Sequence, residues 1–191
     1  MSPASRASQR DMNRSTLTTK WLNIITLNRF ICAGRKILSH INLLTVEILL
    51  DINEQIKIRA SKDHRIEYSG GEDYPLKIHE LKKLIEYSPN SRDILEIAAY
   101  YLKNIILLQA FPDANHRTAL TAIEIFLENN NLNFDYTPVE AFDFRKELYN
   151  SRLMVYKTYE EMSTRVLKED DNQAENSVFT LCLKFVKAHV K

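Results

Sequence analysis

The chain has 191 residues, enough for one well-buried core and a little short for two. Apolar side chains make up 45% and charged ones 27%, ordinary globular usage that excludes a chain disordered throughout. With 26 Lys and Arg against 25 Asp and Glu, there is no bulk positive field to hold nucleic acid or an anionic membrane, so such a partner would need a local patch.

Residues 1 to 16 are rich in Ser, Arg, Gln and Asn with almost no large apolar side chains, which predicts a disordered end. Between 17 and 39, Trp21, Ile24, Ile25, Leu27, Phe30 and Ile31 recur at helix-like offsets and Gly34 offers a stop, which predicts one helix with a break. Asn23, Asn28 and Arg29 interrupt this stretch, and it falls short of the ~20 apolar residues a membrane span needs. Residues 1–40 thus read as an N-terminal extension. A second helix is expected over 42 to 59, with Leu44, Ile48, Leu49, Ile52 and Ile56 on one face and Glu47, Glu54 and Lys57 on another. From 64 to 78 the pattern changes to short extended runs around Ser69-Gly70-Gly71, a flap able to close as a β-hairpin and the one strand-like region in the chain.

Ser91 is the expected N-cap of a helix reaching Gln109, with apolar side chains on nearly every side, which makes it central and buried. After a break at Phe111-Pro112-Asp113, the next helix is expected over 115 to 129, ending at Asn129-Asn130-Asn131. Further helices are expected over 138–149, 151–168 and 175–189, with a linker at 170–172. Only three glycines and five prolines punctuate the chain, which favours long helices over turn-rich sheet and predicts an all-α bundle. Cys32 and Cys182 have no metal-type spacing and read as two reduced, mostly buried thiols suited to a reducing cytoplasm. His40, His64, His79 and His189 show no metal-ligand spacing, so no structural metal is expected.

The chemistry-bearing segment runs from Gln109 through Ala110, Phe111, Pro112, Asp113, Ala114, Asn115 and His116 to Arg117, a tight loop feeding a helix start. Backbone N–H groups at a helix N-terminus carry partial positive charge and suit a phosphate. Arg117 adds a bidentate cation, and Asp113 a hard carboxylate of the kind that helps hold Mg²⁺. On the residues alone the segment reads first as ordinary helix-start chemistry: Asp113 an N-cap, Asn115 a turn residue, His116 an exposed side chain, Arg117 a solvated cation.

The segment resembles the signature of the Fic/Doc (Fido) family: His, any residue, Phe, any residue, Asp or Glu, Gly or Ala, Asn, Gly or Lys, then Arg. Leu44 to Ile56 is similar to the opening helix of Doc-type members, and Arg117-Thr118-Ala119-Leu120 to their motif helix. The resemblance implies a Fic/Doc-like helical bundle over 41–168, followed by a C-terminal helix over 169–191. It implies ATP and Mg²⁺ as cofactors, Asp113 as the Mg²⁺ ligand, and Ala114, Asn115, His116 and Arg117 around the phosphates, with Arg117 also acting in catalysis. It further implies transfer of phosphate (Doc-like) or AMP (Fic-like) to a hydroxyl of a target protein, a translation factor in the Doc case.

Two departures stand out. The family's histidine is replaced by Gln109, an amide with no titratable proton near neutral pH, which cannot serve as a general base. Ala114 stands where glycine is commoner and His116 where Fic members have Gly and Doc members Lys; the alanine points toward the death-on-curing branch. Because alanine tolerates positive φ poorly, a tighter loop is expected than in the glycine form. No inhibitory-helix pattern of Ser or Thr, three residues, Glu, then Gly or Asn occurs, which leaves room for a separate antitoxin. A catalytically inactive Fido domain, regulating by binding a nucleotide or a protein, stands as the alternative to a transferase.

Overall fold

The computed structural model describes residues 41–63, 66–70, 74–91, 93–155 and 173–191, with side chains described through 151 and again from 178. The expectations for 1–40, including Cys32 and His40, for the linker at 170–172, and for helix over 156–168 lie outside the described residues. The described chain is all-α: α1 Val46–Lys62, α2 Ile78–Glu86, α3 Ile94–Leu108, α4 Asn115–Asn129, α5 Pro138–Val155 and α6 Gln173–His189.

α3 is the central element, as its all-round apolar composition predicts. Ten of its fifteen residues are buried, from Ile97 to Leu108, and it packs against α4, α6 and α2. α1 lies on α4 and α2, and α5 on α6. α1 buries Leu49, Ile52 and Asn53, one stripe at offsets 3 and 4, so an amide sits on the face otherwise used for core packing. Along α4, Ala119, Ala122, Ile123, Phe126 and Leu127 form the inner stripe, and the two alanines let the backbones approach closely. From α6, Val178, Cys182, Phe185 and Val186 complete the same core.

Several expectations are corrected. α2 was not foreseen: its N-cap, Lys77, makes no side-chain cap bond, and its nine residues show only Leu81 and Leu84 as buried apolar positions. The N-cap of α3 is Asp93, whose carboxylate accepts from the N–H groups of Leu95 and Glu96, rather than Ser91. Ser91 acts one step earlier: its hydroxyl accepts from Asp93 N–H and donates to Glu96. The expected break between 149 and 151 is absent, because no Gly or Pro interrupts Pro138–Val155 and the helix runs through. No strand forms in the described parts of the flap, 66–70 and 74–77; the isolated bridge among the described residues pairs Phe134 with Val190. That bridge is extended by Asn133–Lys191 and Asp135–His189 backbone bonds and a 2.8 Å Lys191–Asp135 ion pair.

The asparagine run after α4 is a tie rather than a simple stop. Asn130 accepts from Asn42 N–H at 2.9 Å and donates to the carbonyls of Asn42 and Phe126, which fixes the entry to α1 against the exit of α4. The loop between α3 and α4 thus joins two helices, of which α4 is tied at its far end to the entry of α1. Among the described residues no helix is long and apolar enough to cross a membrane.

Candidate functional site at the start of helix α4

The loop 109–114 is bounded by two left-handed residues that are not glycine. Gln109 caps α3 at φ 46° and ψ 48°, and Ala114 precedes α4 at φ 63° and ψ 22°. Ala114, which tolerates positive φ poorly, nonetheless adopts the turn a glycine would make, at a strain of about 1–2 kcal/mol. Ala114 is 7% exposed, its N–H donates to the Asp113 carboxylate and its carbonyl accepts from Thr118 N–H.

Asn115 is the principal fastener. It is 6% exposed, its Oδ1 accepts from Phe111 N–H at 3.1 Å, and its Nδ2 donates to the Phe111 carbonyl at 3.0 Å. A longer 3.5 Å contact runs from Nδ2 to Oε1 of Gln109. The Gln109 amide nitrogen turns back onto the Ile106 carbonyl. Expected to meet phosphate, Asn115 instead directs its side chain into the loop, where it satisfies two buried backbone groups. Gln109 is drawn into the same local network at the end of α3.

Asp113 lies on the opposite side of the loop. One carboxylate oxygen accepts from the backbone N–H of Ser69 at 2.5 Å and from its hydroxyl at 3.2 Å, and the other accepts from Ala114 N–H. Burial pushes this carboxyl upward, but those three donors and the Arg117 charge outweigh it and leave Asp113 below the usual carboxylate range. Asp113 does not cap α4 in the ordinary way, since the residue in that position is Ala114, with no side-chain bond. Arg117, on the first turn of α4, donates to the Glu67 carbonyl at 2.6 Å, and His116 beside it is half-buried.

Behind the loop stands a group that the motif reading did not single out. Asn53, 6% exposed on α1, donates to the Asp113 carbonyl at 3.0 Å and to Oγ1 of Thr118 at 2.9 Å. It accepts from the Tyr68 hydroxyl at 3.1 Å. Burial and the charges of Asp113 and Glu54 raise the Tyr68 phenol above its ordinary value against the pull of Arg117, so it stays a protonated donor. The available signal was an amide on the apolar stripe of α1, a position that demands buried partners. A cavity of about 300 Å³ opens beside these residues, lined by Leu50, Asn53, Glu54, Lys57, Tyr68, Leu76, Phe111 and Pro112.

The intrahelical ladder of α4 begins with Thr118 N–H on the Ala114 carbonyl at 2.8 Å, so the N–H groups of residues 115 to 117 precede it at the positive end of the helix dipole. The donor set suits Mg²⁺ in one respect: Asp113 offers a single carboxylate, and Mg²⁺ usually takes one or two protein carboxylates and fills the rest with water and phosphate. Among the described residues no group of three or more His, Cys, Asp or Glu side chains is arranged to hold a metal ion by protein alone.

No curated protein and no solved structure matches this chain. Residues 41–127, which run from the entry of α1 through the loop and along α4, match the model of the Fic/DOC family, and this match supports membership of that family.

Proposed function

We propose that the start of α4 binds the phosphates of a Mg-nucleotide, and that the chain is a Fic/Doc-type protein acting on a hydroxyl of a target protein with phosphate or AMP from ATP. The observation that carries this reading is the meeting of Asp113, the leading N–H groups of α4 and Arg117 at one helix start, inside the family-matched segment. Asp113 would hold the metal, the helix N-terminus the phosphate oxygens, and Arg117 would neutralise charge on the transferred group. Mg²⁺ would supply charge neutralisation between phosphate oxygens. Ala114 favours the death-on-curing branch, hence phosphate transfer to a translation factor in a reducing cytoplasm, with a separate antitoxin as a further partner.

Gln109 favours a second reading, a regulator that acts by occupancy. Its amide cannot take the proton of an attacking hydroxyl, and it bonds back to Ile106 and approaches Asn115. Loss of a general base forfeits about 10²–10⁴-fold in rate, while binding through the helix start and Arg117 is unaffected.

Gln109→His separates the two readings. With ATP labelled at the α- or γ-phosphate and a host lysate as acceptor, a transferase predicts protein labelling that appears or rises at least about 100-fold in the variant. The label position distinguishes AMP from phosphate transfer. No labelling from a folded, nucleotide-binding Gln109→His chain would leave the regulator as the function.

A further inference from the structure

We propose that residues 66–70 form an intramolecular clasp that holds the polar groups of the loop and must leave them before a phosphate ligand binds, so that occupancy and flap release are coupled. The proposal rests on the phosphate-site reading given above.

The two charged side chains of the site are each met by a matching backbone group two residues apart on the flap. The Asp113 carboxylate receives the Ser69 N–H and the Arg117 guanidinium meets the Glu67 carbonyl. Residues i and i+2 of an extended segment present these groups on one side, the way a strand edge does. The Ser69 hydroxyl adds a second donor to the same carboxylate oxygen, and Tyr68 ties the flap to Asn53, which itself holds the Asp113 carbonyl. With Ala114 N–H on its other oxygen, Asp113 receives three donors, leaving about one of its four lone-pair sites open. A cation at Asp113 would face the Ser69 N–H and hydroxyl protons directly, so metal and flap compete for one group.

Gly70 shows how close the flap lies. A Cβ there would stand 2.8 Å from Pro112 Cβ, 3.0 Å from Pro112 C and 3.1 Å from Asp113 Cβ, contacts that force a shift in the flap or the loop. Only a residue without a side chain lets residue 70 sit against the loop while Ser69 reaches Asp113. The flap groups at 67 and 69 are exposed, so the clasp is placed to open without disturbing the core.

Closed and open forms in exchange lower apparent affinity by the fraction open. Gly70→Ala and Ser69→Pro weaken the clasp by different routes, steric clash and loss of the N–H donor. Both are expected to bind Mg-ATP on the order of tenfold tighter than wild type by calorimetry. Hydrogen exchange of the Ser69 amide supplies a readout that does not depend on the variants: it is expected to be protected in the free chain and to lose protection with saturating Mg-ATP. Binding by the variants but not by wild type would also support the clasp. If wild type binds while Ser69 protection is unchanged or rises, or both variants bind no tighter, the clasp is wrong and the phosphate site stands. If neither wild type nor variants bind, the phosphate reading fails and the clasp with it.

Discussion

Asn115 is buried, and it closes a five-residue loop by satisfying both backbone groups of Phe111. Asn115→Ala leaves a buried N–H and a buried carbonyl unpaired, each worth about 1–3 kcal/mol, so a loss of roughly 2–6 kcal/mol in urea unfolding is expected. A loss under about 0.5 kcal/mol would mean that water replaces the amide without difficulty. Asp113 makes a second residue-level prediction. Its folded pKa is depressed, so the group contributes stability above the usual carboxylate range, and that stability is lost as pH falls through the folded value. In Asp113→Asn, the decline of unfolding free energy below about pH 5 should be shallower than in wild type. A decline of unchanged slope would show that Asp113 is no more ionised folded than unfolded. Positions 109 to 117 were legible from sequence because residue types, order and spacing all sit in one contiguous run. The partners of Asp113 and Arg117 were not: Ser69, Glu67 and Asn53 lie 44 to 60 positions away along the chain, and two of the flap contacts are made by backbone groups that nearly any residue supplies.

At the scale of elements, periodicity located α1, α3, α4 and α6 because each carries a long apolar stripe bounded by polar residues. α2 escaped because no capping side chain marks its start and its first residue, Ile78, was absorbed into the extended pattern of the flap. Ser91 and Asp93 are both N-cap residue types, and only the geometry, in which the Ser91 hydroxyl accepts from Asp93 N–H, separates them. The described flap residues bond to the 109–114 loop, to α1 and to α4 rather than to a partner strand, which explains why a hairpin pattern in sequence yields no strand among the described residues. Asp93→Ala should lower stability by about 1 kcal/mol through loss of the two capped N–H groups of α3, whereas Ser91→Ala should lower it by less. Equal losses in thermal unfolding would argue that the cap is shared between the two residues.

At the scale of the whole molecule, the core among the described residues is one cluster from Leu44 to Val186, and the apolar stripes foretell most of it, Leu81 and Leu84 of the unforeseen α2 apart. Asn104 is fully buried in α3, and its amide oxygen and nitrogen both lack a hydrogen-bond partner. Replacing it with a residue of similar shape removes that desolvation penalty, so Asn104→Leu is expected to raise stability by about 1 kcal/mol. Destabilisation would show that the amide is satisfied by buried water or another group. Cys182 agrees with its reading as a buried thiol, since burial pushes it up to about 12 and keeps it unreactive in the folded chain.

The central claim is that the start of α4 is a working phosphate site, and calorimetric titration of Mg-ATP into wild type and Arg117→Ala tests it most directly. The account predicts saturable binding to wild type that falls at least about tenfold on losing the charge-assisted guanidinium contact, in a variant that remains folded. Binding of equal strength to both chains would contradict it, because a nucleotide indifferent to Arg117 is not held at this helix start.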